Sequence, residues 1–368
     1  MKNLTQIVPS HVRGIAPYQP GKPISELARE MGLEEGSIVK LASNENPLGV
    51  SPKALAAMAA TLQDIARYPD GNGFVLKDAI SRKYGIAQSQ IVLGNGSNDV
   101  LELAARAFLS PGTEVVFSQH AFAVYPLVTQ AIGAVGVMTP AKNYGHDLDA
   151  MLAAITQNTR MIFVANPNNP TGTWIDKQAL HAFLSKVPND VMVVLDEAYD
   201  EYLPDDLKSE AIGWIAEFDN LILTRTLSKA YGLAGLRVGF LVANAAVADM
   251  INRVRQPFNV NNVALAAAAA VLDDEDFVRR TRELNDAGMK QLTEGVARLG
   301  LEYIPSYGNF VCVRVENAME VYRKLLQKGV IVRPVGNYEL PDFLRVSIGL
   351  ESENARFLQA LEEVLQGR

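Results

Sequence analysis

The sequence predicts an α/β protein: a large domain on a mostly parallel, seven-stranded sheet flanked by helices, followed by a smaller α+β domain. Two observations carry that prediction. Beyond Pro52, short continuous apolar runs alternate with amphipathic stretches of helical period. This is the pattern of strands buried on both faces, with helices between them. From about Val263 the texture changes to a long charge-rich helical region, then to shorter strands and a closing helix.

In chain order, the first 45 residues are punctuated by Pro9, Pro17, Pro20 and Pro23. They read as an extended arm with one short helix, Ile24 to Met31, capped by Ser25 or a neighbour. The strands of the large sheet are expected at Gln90–Leu93, Glu114–Phe117, Val135–Met138, Met161–Ala165, Val191–Leu195, Leu221–Thr224 and Gly239–Val242. Helices are expected over Ser97–Leu109, Ala121–Ile132, Leu148–Ile155 and Lys177–Lys186. A helical region follows at Val263–Leu299, then strands at Asn309–Val315, Val330–Pro334 and Phe343–Ile348, and a helix from Ser352. The plan is an arm over 1–45 that contributes to the small domain, a large ligand-binding domain over 46–262, and a small C-terminal domain over 263–368.

Composition narrows the function. The net charge of −7 argues against nucleic acid or an acidic membrane surface as partner. A single cysteine, Cys312, rules out an internal disulfide. The four histidines (His11, His120, His146 and His181) lack metal-ligand spacing, so no metal site is expected. The N-terminus has no apolar core of a leader, and no segment reaches 18 apolar residues. The expectation is a soluble cytoplasmic enzyme without membrane or nucleic-acid partners.

In a sheet of this kind ligands gather beyond the C-terminal strand ends. Gly94-Asn95-Gly96-Ser97-Asn98-Asp99 follows the first strand and opens a helix, where free N–H groups favour a phosphate. It is not a full dinucleotide fingerprint, which disfavours a nicotinamide dehydrogenase. Asn166-Pro167-Asn168-Asn169-Pro170-Thr171-Gly172 follows the fourth, Asp196-Glu197-Ala198-Tyr199 the fifth, and Thr226-Leu227-Ser228-Lys229 with Arg237 the sixth. Taken singly, these are a turn, a helix cap and a surface lysine. Together they are what a phosphate-bearing pyridine aldehyde requires. Such a group needs a lysine for a Schiff base, an acid for the ring nitrogen, donors for the ring hydroxyl and a cationic hydroxyl-rich cup.

In that order and spacing, NPNNPTG, LDEAY and TLSKAYGLAGLRVG resemble the fold-type I pyridoxal-phosphate aminotransferases. RGIAPYQPGKP, LASNENPLG, RYPDGNG and FLRVSIG are similar to those of the histidinol-phosphate aminotransferase group. The resemblance spans nearly the whole chain and implies pyridoxal 5′-phosphate as cofactor. It implies that Lys229 carries the cofactor, Asp196 binds the ring nitrogen, and Asn169 and Tyr199 bind the ring hydroxyl; Lys229, Asp196 and Tyr199 are the catalytic set. Ser97, Asn98, Thr226, Ser228 and Arg237 would hold the phosphate, and Phe122 would stack on the ring where relatives often carry tyrosine. Tyr68 would reach the phosphate of a partner subunit, which implies a homodimer with shared sites. Arg345 would grip the donor's carboxylate or a substrate phosphate, with Arg333, Tyr18, Asn44 and Asn169 completing the substrate side.

The implied reaction moves an amino group between histidinol phosphate and 2-oxoglutarate in ping-pong fashion, a step of histidine biosynthesis. Three other functions fit the same residues: an aromatic-amino-acid aminotransferase, a threonine-phosphate decarboxylase, and a cofactor-binding regulator without catalysis. The last needs a DNA-binding segment that the arm does not supply. The resemblance also implies a cis Asn169–Pro170 bond.

Overall fold

The computed structural model describes residues 4–18 and 20–367; Met1–Asn3 and Gln19, which belong to the expected arm, and Arg368 lie outside them. All the expected large-sheet strands are present, at Ile91–Gly94, Glu114–Ser118, Val135–Thr139, Thr159–Ala165, Met192–Asp196, Leu221–Thr226 and Gly239–Ala243. Across the sheet they run in the order of the strands beginning at Ile91, Gly239, Leu221, Met192, Thr159, Glu114 and Val135. Gly239–Ala243 is antiparallel to both neighbours and the remaining pairs are parallel.

The continuous apolar runs have a simple cause. Val193, Leu195, Leu221 and Leu223 pack into one core while Val194, Ile222 and Leu241 pack into the other, on the opposite face. Side chains alternate across a strand, so a sheet covered by helices on both faces needs apolar residues at every position. Helices Ser97–Phe108, Val124–Ile132, Leu148–Ala153 and Lys177–Leu184 agree with expectation to within a few residues at their ends.

The charge-rich stretch is two helices, Asn262–Leu272 and Glu275–Arg298. The first packs Ala264, Leu265, Ala268 and Val271 into the core of the large sheet, although the sequence reading places it in the following domain. The small sheet is antiparallel, in the order Tyr303–Ile304, Phe310–Arg314, Phe343–Ser347, Arg333–Pro334. Expected strand Val330–Pro334 divides: Val330–Ile331 pairs in parallel with Val39–Lys40 of the arm, while Arg333–Pro334 joins the small sheet. The arm helix Ile24–Met31 has Pro23 at its cap position and no side-chain cap, so Ser25 does not cap it. Its Leu27 and Ala28 instead pack with Leu326 and Ile331, anchoring the arm to the small sheet's helix layer. Among the described residues no helix is long and apolar enough to cross a membrane.

Candidate active site

The parallel strands end at one edge of the large sheet, and there the arm and the small sheet close a cavity of about 200 Å³. Every candidate residue lines it except Tyr68: Tyr18, Asn44, Ser97, Asn98, Phe122, Asn169, Asp196, Tyr199, Thr226, Ser228, Lys229, Arg237, Arg333 and Arg345. Tyr68 lies outside, 82% exposed, its ring stacked on Phe258 at 4.8 Å.

One end of the cavity is built for an anion. Gly96, at φ +88°, precedes helix Ser97–Phe108, and a Cβ placed there would lie 2.4 Å from Nη2 of Arg237. A Cβ on Gly239 would fall 2.7 Å from the backbone nitrogen of Ser97. The two glycines therefore let a guanidinium lie directly against a helix N-terminus. Two positive features side by side repel each other unless an anion sits between them, and a phosphate dianion fits that need. Arg237, itself left-handed at φ +55°, donates from Nη1 to Ser228 Oγ at 3.2 Å.

Asp196 lines the same cavity, at the end of its strand and 5% exposed. Burial pushes its carboxyl up, while hydrogen bonds from Tyr125, Thr224 and the Ala198 amide act in the other direction. Tyr125 Oη donates to Oδ2 at 2.8 Å, and Thr224 Oγ1 donates to Oδ1 at 2.9 Å. Each carboxylate oxygen thus has a hydroxyl donor that fixes its direction. Phe122 stands in the wall, edge-on to Tyr125 with ring centroids 5.8 Å apart.

Lys229 lines the cavity too, its Nζ donating to the Ser43 carbonyl at 2.9 Å. Burial, with the cations of Arg345, Arg237 and Lys40 nearby, brings its amine down to about 7 against a partial opposing pull from Glu45. A lysine in such a place is available as a neutral nucleophile and proton carrier. Tyr199 is pushed up to about 12, mainly by burial, and stays a neutral phenol. Asn44 donates to it from Nδ2 at 2.9 Å and is itself held by Ser347, whose Oγ donates to Asn44 Oδ1 at 3.0 Å.

The small sheet supplies the remaining cations. Arg333 and Arg345 are paired across adjacent strands. Arg345 is 7% exposed, donates from Nη1 to Asn169 Oδ1 at 2.5 Å and from Nη2 to the Ala42 carbonyl at 2.8 Å. Its Nε is buried and, among the described residues, has no hydrogen-bond partner. The guanidinium of Arg333 lies over the Tyr18 ring at 5.5 Å. The Asn169–Pro170 bond is cis, as expected, and so is Asn166–Pro167.

Sequence reasoning missed Tyr125, Thr224 and Ser43. A signal existed for Tyr125: it follows Phe122 by three residues at the start of a helix, and a buried tyrosine hydroxyl needs a partner. Ser43 acts through its backbone carbonyl, which leaves no trace in residue type.

The sequence model of the family "Aminotransferase class I and II" matches residues 36–361. The chain is 68% identical over 368 residues to histidinol-phosphate aminotransferase of Methylobacillus flagellatus, covering 100% of both chains. It is 60% identical over 365 residues to histidinol-phosphate aminotransferase 2 of Nitrosospira multiformis, covering 99% of this chain and 93% of that one. Its fold overlays on the crystal structure of histidinol-phosphate aminotransferase from Sinorhizobium meliloti in complex with pyridoxal 5′-phosphate. That match has a TM-score of 0.90 at 27% identity and covers 98% of each chain. With its sheet, its cavity and its full-length likeness in agreement, this chain belongs to the class I and II aminotransferases, in the histidinol-phosphate aminotransferase group.

Proposed function

We propose that the chain exchanges an amino group between histidinol phosphate and 2-oxoglutarate, with imidazole acetol phosphate and glutamate as the other pair. It works as a cytoplasmic homodimer with pyridoxal 5′-phosphate held by Lys229. The observation that carries this reading is one cavity with a near-neutral lysine and two anion-binding ends, the Gly96–Arg237 cup and the Arg333–Arg345 pair. The 68% identity over the full length of both chains supports the choice of substrate.

When bound, pyridoxal phosphate supplies an electron sink that stabilises negative charge on the substrate's α-carbon. The chain's residues do the rest. The helix start at Ser97, with Asn98, Thr226, Ser228 and Arg237, grips the phosphate. Asp196 would hold a proton on the ring nitrogen, its oxygens kept in line by Tyr125 and Thr224. Tyr199 and the amide of Asn169 would hold the ring hydroxyl, and Phe122 would lie against the ring. The Lys229 amine, brought down to about 7, would accept the proton that leaves the substrate's α-carbon. Arg345, on the cavity wall with one hydrogen bond made from each Nη, would bind the glutamate carboxylate or the substrate phosphate through its remaining Nη N–H groups, and Arg333 with Tyr18 would close the second anionic end. Tyr68 completes the phosphate cup of the neighbouring subunit.

Purified protein should be given histidinol phosphate, phenylalanine or phosphothreonine with 2-oxoglutarate, assaying glutamate and carbon dioxide. The expected result is glutamate from histidinol phosphate, with kcat/KM about 100-fold or more above that for phenylalanine. Preference for phenylalanine, or carbon dioxide from phosphothreonine, would replace the substrate assignment with one of those activities.

A further inference from the structure

We infer that Asn259, held by Arg255, is a positioning residue that fixes the Tyr68 loop to the phosphate-binding loop of its own protomer. The inference rests on the reading that Tyr68 serves the neighbouring subunit's cup. The backbone of the Tyr68 loop is held by Asn262 Nδ2, which donates to the Arg67 carbonyl at 3.3 Å, and by Asp70, which accepts from the Asn72 and Phe74 amides, but these bonds do not reach the ring. Tyr68 is 82% exposed and its only aromatic contact among the described residues is the stack on Phe258. Ordering an exposed side chain costs entropy that a contact must offset.

The contact that reaches the ring lies in the segment Arg255–Asn259. Phe258 sits in the left-handed region at φ +59°, which turns its ring out onto Tyr68. On its other side the ring meets Gly71, where a Cβ would come within 3.3 Å. The neighbouring residue, Asn259, uses its whole amide. Its Nδ2 donates to Asp99 Oδ2 at 2.8 Å and to the Leu93 carbonyl at 3.1 Å. Its Oδ1 accepts from Nη1 of Arg255 at 2.8 Å, and Nη2 of the same guanidinium donates to the Gly71 carbonyl at 2.8 Å. Asp99 Oδ2 in turn accepts from the backbone nitrogen of Asn95 at 2.7 Å. Asp99 also lies in the first turn of the helix whose N-terminus faces the phosphate.

A continuous chain of bonds therefore runs from Asn95 and Asp99 through Asn259 and Arg255 to Gly71, with Phe258 carrying the Tyr68 ring. Its two ends are contacts to two different cofactor phosphates: the protomer's own, and the one Tyr68 reaches in the other subunit. Removing the Asn259 amide leaves both loops folded on their own hydrogen bonds but lets Tyr68 drift from its target.

The test uses four full-length homodimers loaded with pyridoxal phosphate: wild type, Tyr68→Phe, Asn259→Ala and the double variant. The rate of cofactor release is read by absorbance after dilution into an aldehyde scavenger, with Tm as a control on folding. Loss of the Tyr68 hydroxyl should speed release about 3- to 10-fold, as loss of one hydrogen bond to a charged group does. Asn259→Ala should speed it by a similar or smaller factor. The double variant should be no faster than Tyr68→Phe, because Asn259 acts through that hydroxyl. Arg255→Met cuts the same chain at Gly71 and should give the same non-additive pattern should Asn259→Ala fail to fold. A double variant whose effect is the product of the two singles, or an inert Asn259→Ala, overturns the inference while leaving Tyr68 in its role. An inert Tyr68→Phe overturns the inference together with the shared-site reading beneath it.

Discussion

Nη1 of Arg345 donates to Oδ1 of Asn169 at 2.5 Å, joining a small-sheet strand to the turn that closes a large-sheet strand. The bond sets the orientation of both partners. With its oxygen occupied, Asn169 keeps its NH₂ as its further polar group. Arg345 is steadied also by the Ala42 carbonyl and by the Phe310 ring at 5.4 Å.

Arg345→Ala should therefore lower kcat/KM for both substrates by roughly 100-fold, the size of a charge-assisted contact of about 3 kcal/mol. Cofactor affinity should change only a few-fold. Arg345→Lys should recover little, because a point charge cannot reproduce a fork. Steady-state kinetics with each substrate and a cofactor titration check both statements; unchanged kinetics would make Arg345 a structural strut.

Asp196→Asn should keep the cofactor bound and lower turnover by orders of magnitude, since a neutral amide cannot hold the ring nitrogen protonated. Tyr125→Phe gives a graded version. It removes the donor at Oδ2, and Tyr125's bond is a force that holds the Asp196 carboxyl down against burial. The acid limb of the pH–rate profile should then move up, with kcat reduced about 3- to 10-fold. A profile identical to wild type would show that Tyr125 only fills space beside Phe163, on which its ring stacks at 4.6 Å.

Tyr125 also marks where reading the sequence reaches its limit. The large sheet was legible because burial on both faces writes itself as unbroken apolar runs such as Val191–Leu195. Lys229, Asp196 and Asn169 were legible as residues of one cavity because they stand within a few residues of the ends of such runs, where ligands bind, and because their order resembles that of a known family. The bonds that orient them were not. Asn44–Ser347 and Tyr125–Asp196 join residues far apart in sequence, and hydroxyls and amides occur at many positions where they do nothing. The two-residue strands Val39–Lys40 and Tyr303–Ile304 are too short to show a period. Asn262–Leu272 carries buried alanines and leucines around much of its circumference, so its pattern does not say which sheet it covers.

Arg225 makes a stability prediction. Buried behind the Asp196 strand end, it faces Glu197 at 2.6 Å, Asp200 at 2.8 Å and Glu201 at 3.3 Å, with its guanidinium over the Tyr84 ring. Arg225→Met should cost about 3–5 kcal/mol, because it leaves those carboxylates buried without their cation. Burial raises the Glu197 carboxyl, with Arg225 holding it down. A carboxyl raised by folding binds more protons in the folded than in the unfolded state, so its contribution is present at low pH and lost as pH rises through its folded value. Removing Arg225 raises Glu197 further, so the fall should extend to higher pH in Arg225→Met and be reduced by adding Glu197→Gln. Urea unfolding across pH decides; a variant as stable as wild type would mean that solvent already screens the cluster.

The last prediction concerns Lys229, whose amine folding brings from 10.5 down to about 7, chiefly by burial and then by Arg345. The holoprotein should be yellow. Borohydride reduction followed by digestion and mass spectrometry should place a pyridoxyl group on Lys229 and on no other lysine. Lys229→Ala should keep the cofactor through Asp196, Arg237 and the helix start, yet lose transamination almost completely, since nucleophile and proton carrier go together. The cofactor-free protein offers an independent check. Between about pH 7 and 10 the unfolded chain keeps the Lys229 proton while the folded chain has released it. Stability rises with pH wherever the unfolded state binds more protons. Wild-type apoprotein should thus gain stability over that window relative to Lys229→Met, which has no proton there to exclude, and at neutral pH the methionine variant should be the more stable of the two. Parallel pH profiles for both proteins would mean that Lys229 stays solvated and charged, and a pyridoxyl adduct on a different lysine would end its assignment as the cofactor's anchor.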